Sequence, residues 1–129
     1  MRGGAPRPRT VLVVDDEADL ADLAALLLAQ HGFEVAVAYS GEQALHRLSA
    51  GERFDALFSD VTMAGLNGLE LAAAVSRLAP STRIVLTSGY TLPSLLAEHR
   101  GKWGCIQKPY RIEAVVAMLC GPQPMDSNS

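Results

Sequence analysis

Asp55-Ala56-Leu57-Phe58-Ser59-Asp60-Val61-Thr62-Met63-Ala64-Gly65-Leu66-Asn67-Gly68 is the stretch on which the fold is read. Its apolar run, Ala56-Leu57-Phe58, ends on Ser59 and then on a carboxylate, Asp60, and a glycine-rich turn follows at once. A carboxylate at the end of a buried strand lies where an open α/β sheet keeps its chemistry. Two other runs end in the same manner. Val11-Leu12-Val13-Val14 runs into Asp15-Asp16-Glu17, and Gly104 to Gln107 runs into Lys108-Pro109. Three acids and one base at three strand ends point to one shared site.

Outward from that stretch the pattern alternates. Val11 to Val14 is β-branched and unbroken, as suits a strand covered on both faces. Asp19 to Gln30 carries leucines at 20, 23, 26, 27 and 28 and reads as an amphipathic helix, ended by His31-Gly32. Phe33 to Ala38 reads as a strand. Ser40 with Gln43 reads as a capping box opening a helix to Ala50. After the strand Asp55 to Ser59 comes a helix from Leu69 to Ala79, stopped by Pro80. Arg83 to Thr87 is a fourth strand. Pro93 opens a short helix to about Arg100, Gly104 to Gln107 is a fifth strand, and Arg111 to Cys120 is a last helix. The order βαβαβαβαβα predicts a doubly wound, five-stranded parallel sheet flanked by five helices.

A length of 129 residues fits one domain with a sizeable core. Hydrophobic residues at 49% against 19% charged exclude a disordered chain. A net charge of −3 gives no reason to expect nucleic-acid binding by the domain itself. No apolar run approaches the length of a membrane span. Two cysteines, Cys105 and Cys120, lack metal-type spacing and read as reduced thiols, which fits a cytoplasmic location. Residues 1–9 read as a disordered lead, 10–120 as the domain, and 121–129 as a flexible tail.

Carboxylates gathered at one sheet edge repel each other. A like-charge pair at 4 Å costs about 4 kcal/mol at an effective dielectric of ~20. The cluster Asp15, Asp16, Asp60 therefore calls for a cation, and hard oxygen ligands beside an open turn favour Mg²⁺. Lys108 adds a fixed positive charge. Metal and lysine together meet the needs of a phosphoryl group, with a carboxylate available as nucleophile. Acids after strands also serve as helix caps and turn formers. Asp15-Asp16, Asp60, Ser88 and Lys108-Pro109, each ending a successive strand, are harder to explain that way.

At this point the residues resemble the receiver domain of two-component response regulators, a chemotaxis-regulator-like fold. The likeness runs from about Thr10 to Cys120. It rests on Val11-Leu12-Val13-Val14-Asp15-Asp16-Glu17, Asp60 to Gly68, Thr87-Ser88-Gly89-Tyr90 and Gln107-Lys108-Pro109-Tyr110, in that order. The resemblance implies a flavodoxin-like strand order 2-1-3-4-5 and assigns roles. Asp60 is the phosphoacceptor. Asp15 and Asp16 form the Mg²⁺ pocket with Asp60, and the backbone carbonyl of Thr62 completes the ligand set. Lys108 contacts the phosphoryl oxygens, and Ser88 swings its hydroxyl to them. Lys108-Pro109 is a cis peptide. Two positions depart from the pattern: Cys105 stands where an aromatic switch residue is usual, and Ala64 stands where Pro is common. Tyr90 or Trp103 would then supply the missing bulk.

The resulting expectation is a phosphoacceptor switch of bacterial two-component or phosphorelay signalling. It takes a phosphoryl group from a histidine kinase or phosphotransfer protein and catalyses only its own phosphorylation and dephosphorylation. A downstream partner docks on the face of the fourth and fifth expected helices, around Leu92 to Leu96, Ile112 and Val116. One alternative is a C-terminal receiver piece of a hybrid histidine kinase. Another is an aspartyl-phosphate phosphatase or phosphotransferase, which usually needs a second acid two residues past the nucleophile, where this chain has Thr62.

Overall fold

The computed structural model describes residues 8–89 and 103–121. Five parallel strands form one sheet: β1 (Thr10–Val14), β2 (Glu34–Ala38), β3 (Ala56–Asp60), β4 (Arg83–Ser88) and β5 (Gly104–Gln107). Their order is β2-β1-β3-β4-β5, as expected. The described helices are α1 (Ala18–Gln30), α2 (Gly41–Ser49), α3 (Gly68–Leu78) and α4 (Ile112–Cys120). Each lies within one residue of its expected bounds. The short helix expected from Pro93, with Leu92 to Leu96 and Tyr90, falls outside the described residues.

Side-chain alternation along the strands splits the core in two. Leu12, Val14, Leu57 and Leu86 pack with Ala44, Leu48, Leu71 and Val75 from α2 and α3. Val11, Val13, Phe58 and Val85 pack with Ala21, Leu28, Val115 and Leu119 from α1 and α4. Strands buried on both faces must read as continuous apolar runs, which is what β1 and β3 are. Each fully buried leucine or valine contributes about 1.5–3 kcal/mol of transfer free energy.

Two local expectations need correction. Most of the leucine stripe of α1 does not face the core: Leu28 does, with Ala21 and Ala24, while Leu20, Leu23 and Leu26 are 42%, 51% and 56% exposed. The small alanines let the helix lie close on the sheet, which turns three leucines outward. The second concerns α2. Ser40 Oγ accepts from the Gln43 N–H at 3.0 Å, but Gln43 Oε1 accepts from the Tyr39 N–H at 2.9 Å, one residue beyond the box position. A complete capping box opens α3 instead, where Asn67 and Glu70 bond reciprocally at 2.9 and 3.0 Å. Gly32 takes φ 95° just past α1, the left-handed C′ geometry expected there.

Candidate functional site

Strand register fixes what meets at the carboxyl edge. Val14 pairs with Ser59, Asp60 with Thr87, and Ser88 with Gln107. The residues that follow these strand ends, Asp15 and Asp16 after β1 and Lys108 after β5, therefore converge on Asp60. Asp15, Asp16 and Asp60 each offer a carboxylate oxygen, and the three oxygens lie within 4.8 Å of one another. Four residues from three separate stretches of the chain thus share one pocket, as expected.

The pocket is held by few but specific bonds. Lys108 Nζ donates to Asp60 Oδ2 at 3.2 Å and lies 3.7 Å from Asp15 Oδ2. Asp60 Oδ1 accepts from the Thr62 N–H at 3.2 Å. Asp15 Oδ1 accepts from the Glu17 N–H at 2.9 Å, and Asp16 Oδ2 from the Ala64 N–H at 2.9 Å. Asp15 and Asp60 are each 7% exposed, whereas Asp16 faces solvent. Ser88 is fully buried, its carbonyl accepting from the Lys108 N–H at 2.8 Å. The Lys108-Pro109 peptide is cis, as the resemblance implied.

Electrostatics carry the chemistry. Three carboxylates face one ammonium, so the cluster holds a formal excess of two negative charges. Burial pushes the Asp15 carboxyl above its ordinary range; the Glu17 N–H and Lys108 oppose this, and Asp60 and Asp16 add to it. Burial disfavours the Lys108 charge, but Asp60 and Asp15 outweigh it and hold its pKa above the ordinary lysine value. An all-oxygen set with unbalanced negative charge and an exposed member can hold a hard divalent ion.

Cys105, at the position where an aromatic is usual, is half-buried, and its Sγ–H donates to the Trp103 carbonyl at 3.5 Å. Burial pushes its thiol pKa up, so it packs as a small apolar group and not as a reactive thiolate. The Trp103 indole N–H reaches Ser76 Oγ on α3 at 3.3 Å. Beside the pocket lies a groove of about 560 Å³ lined by Leu20, Leu23 and Leu27 of α1 and by Tyr110 and Ile112. It shares Asp15 and Lys108 with the acidic cluster. Leu20 and Leu23, two of the outward leucines of α1, thus border the site, a placement the helical periodicity alone did not reveal. Ile112 and Val116 pack against the core on the α1 side of the sheet. Reading the sequence also passed over Glu42, whose carboxylate holds the loop after β3; nothing in its local pattern links it to residues 24 positions away.

A flavodoxin-like sheet with two buried acids, one exposed acid and a lysine at its carboxyl edge defines a class of phosphoryl-handling domains. Residues 11–120 match the response regulator receiver domain, and the chain belongs to that family. The transcriptional regulatory protein CpxR of Escherichia coli strain K12 is 34% identical over 110 residues, covering 84% of this chain and 47% of that protein. The chemotaxis protein CheY4 of Vibrio cholerae superposes with a TM-score of 0.78 at 30% identity, covering 86% of this chain and 95% of that one. The response regulator TrrA of Thermotoga maritima, solved in complex with Mg²⁺ and BeF, gives a TM-score of 0.73 at 28% identity, covering 83% and 92%. The chain spans about half or less of the length of the curated relatives it matches. Among the described residues no helix is long and apolar enough to cross a membrane.

Proposed function

We propose that Asp60 accepts a phosphoryl group from a phosphohistidine on a histidine kinase or phosphotransfer protein. The observation that carries this is the pairing of a nearly buried carboxylate with Lys108 inside a cluster two charges short of neutral. In the transfer, an Asp60 oxygen forms the new P–O bond as the donor's P–N bond breaks, and the leaving imidazole takes up a proton. Lys108 Nζ, already on Asp60 Oδ2, follows the charge onto the phosphoryl oxygens. The Thr62 N–H holds the other Asp60 oxygen and so orients the carboxylate. Asp15, Asp16, Asp60 and the Thr62 carbonyl are the residues that would hold Mg²⁺, which when bound neutralises carboxylate and phosphoryl charge together. Oxygen donors gathered within 4.8 Å fit that ion.

Ser88, buried at the end of β4, turns its hydroxyl to the phosphoryl group and carries the change outward. With Cys105 in place of an aromatic, that readout runs without a ring rotating inward. The domain acts only on its own acyl phosphate, because Thr62 stands where a phosphatase would need its second acid. A protein donor seats over the α1 groove, since a macromolecule that brings a phosphoryl group beside Lys108 also reaches the leucines that line the same cavity.

Acetyl phosphate with Mg²⁺ should add one phosphoryl mass to the wild-type protein, read by intact mass spectrometry. Asp60→Asn should gain none, and a chelator should abolish the gain. Equal labelling of Asp60→Asn would falsify the assignment.

A further inference from the structure

Three alternate amides of the loop after β3 are each held by a carboxylate from a different part of the chain, namely the end of β3, the turn after β1 and α2. The Thr62 N–H goes to Asp60 at 3.2 Å, the Ala64 N–H to Asp16 at 2.9 Å, and the Leu66 N–H to Glu42 at 2.9 Å. The first two acceptors belong to the acidic cluster. The third, Glu42, stands in the first turn of α2, outside it. The loop is therefore pinned from both sides: the pocket holds its beginning and middle, and α2 holds its end.

The surrounding geometry is built for that last contact. Gly65 takes φ 72°, a left-handed conformation that turns the following amide toward Glu42. A Cβ on Gly65 would lie 2.6 Å from Glu42 Oε2, so the carboxylate occupies the space that only glycine leaves free. Gly41, next to Glu42, is equally constrained: a Cβ there would lie 2.6 Å from the Leu66 carbonyl oxygen. Two glycines, one on each partner, thus let α2 and the loop approach closely around one carboxylate–amide bond.

Resting on the receiver reading above, we propose that Glu42 is a positioning residue of the acidic pocket. It fixes the loop that carries Thr62 and the Ala64 amide, and so sets the placement of Asp16 and the affinity of the pocket for Mg²⁺. Ala64 matters to this linkage because a proline at that position has no N–H to give Asp16. By reciprocity, an ion that draws Asp16 into place tightens the Leu66–Glu42 contact by the same free energy with which Glu42 favours the ion. Occupancy of the pocket is thereby communicated to α2 through backbone hydrogen bonds.

The test is Mg²⁺ binding followed by calorimetry and by the amide resonances of Thr62, Ala64 and Leu66, with thermal melting run in parallel. Glu42→Ala should weaken Mg²⁺ binding about fivefold, below the range for direct partners of metal ligands because Glu42 acts one bond further out. Glu42→Gln keeps an oxygen acceptor for Leu66 and should restore affinity to within about twofold of wild type. Mg²⁺ should shift the Leu66 amide in the wild type and not in Glu42→Ala. A lowered melting temperature with unchanged Mg²⁺ affinity would make Glu42 a plain stability contact and overturn the proposal. Should Glu42→Ala fail to fold, Glu42→Asp, one methylene short of Leu66, carries the same expectation. Absence of Mg²⁺ binding by the wild type would overturn the receiver reading itself, a result distinct from a Glu42 variant that binds as well as wild type.

Discussion

Asp15 shows at a single residue how the site trades stability for chemistry. It is 7% exposed, and burial raises its carboxyl pKa even though the Glu17 N–H and Lys108 pull the other way. A raised folded-state pKa means that the native state binds more protons than the unfolded chain. Stability from this group is fully present below the unfolded value and is lost as pH rises through the folded one. At neutral pH without a divalent ion, ionised Asp15 is thus a net cost to folding. Asp15→Asn should therefore raise stability at pH 7 by on the order of 1 kcal/mol, measured by urea denaturation in the presence of a chelator. The gain should shrink as pH falls below the ordinary carboxylate range, where the wild-type group is itself neutral. Mg²⁺ should then stabilise the wild type more than the variant, because an ion that binds only the native state adds stability in proportion to its affinity. A variant less stable than wild type at pH 7 would mean that the Lys108 contact outweighs desolvation.

Among the elements, α3 governs the placement of Asp60. Its first residue, Gly68, is buried against the strand end: a Cβ there would sit 2.2 Å from the Asp60 carbonyl oxygen and 2.8 Å from Val61 Cα. Backbone atoms in a central strand cannot move aside. Gly68→Ala should cost about 1–3 kcal/mol in chemical denaturation, the usual range for overpacking. It should also slow phosphorylation of Asp60 by acetyl phosphate, because relief of the clash displaces the residue that reacts. Full stability with a normal rate would show that the helix start can slide away freely. The cap before this helix was not singled out from the sequence, although Asn67 and Glu70 stand in the same i, i+3 relation as Ser40 and Gln43. Yet the completed box forms at Asn67 and only half of it at Ser40, because Gln43 finds the Tyr39 amide instead. Composition names the capping residues; the geometry of the entering chain decides which amide each side chain reaches.

For the whole molecule, the sheet was readable because strands covered on both faces leave unbroken apolar runs, and charges set at their ends mark one edge. Asp15, Asp16, Asp60 and Lys108 followed from that edge alone. Glu42 and the outward leucines of α1 did not, since a helix's depth on a sheet depends on which small residues it presents, and α1 presents Ala21 and Ala24. Two of the exposed leucines then acquire a meaning that periodicity concealed: Leu20 and Leu23 line a groove continuous with the reacting pocket. Leu23, 51% exposed, lies in it. Leu23→Ser removes apolar surface that is already half in water, so the fold should lose about 0.5 kcal/mol or less, as is usual for surface substitutions. A protein donor that covers the groove loses a buried contact, and transfer from a phosphorylated histidine kinase should fall about tenfold, as for a residue worth more than 1 kcal/mol at an interface. Acetyl phosphate is too small to touch Leu23, so its rate should be unchanged. The ratio of the two rates isolates docking from chemistry. Equal rates from the kinase for both proteins would mean that donors approach Asp60 from another side of the sheet edge.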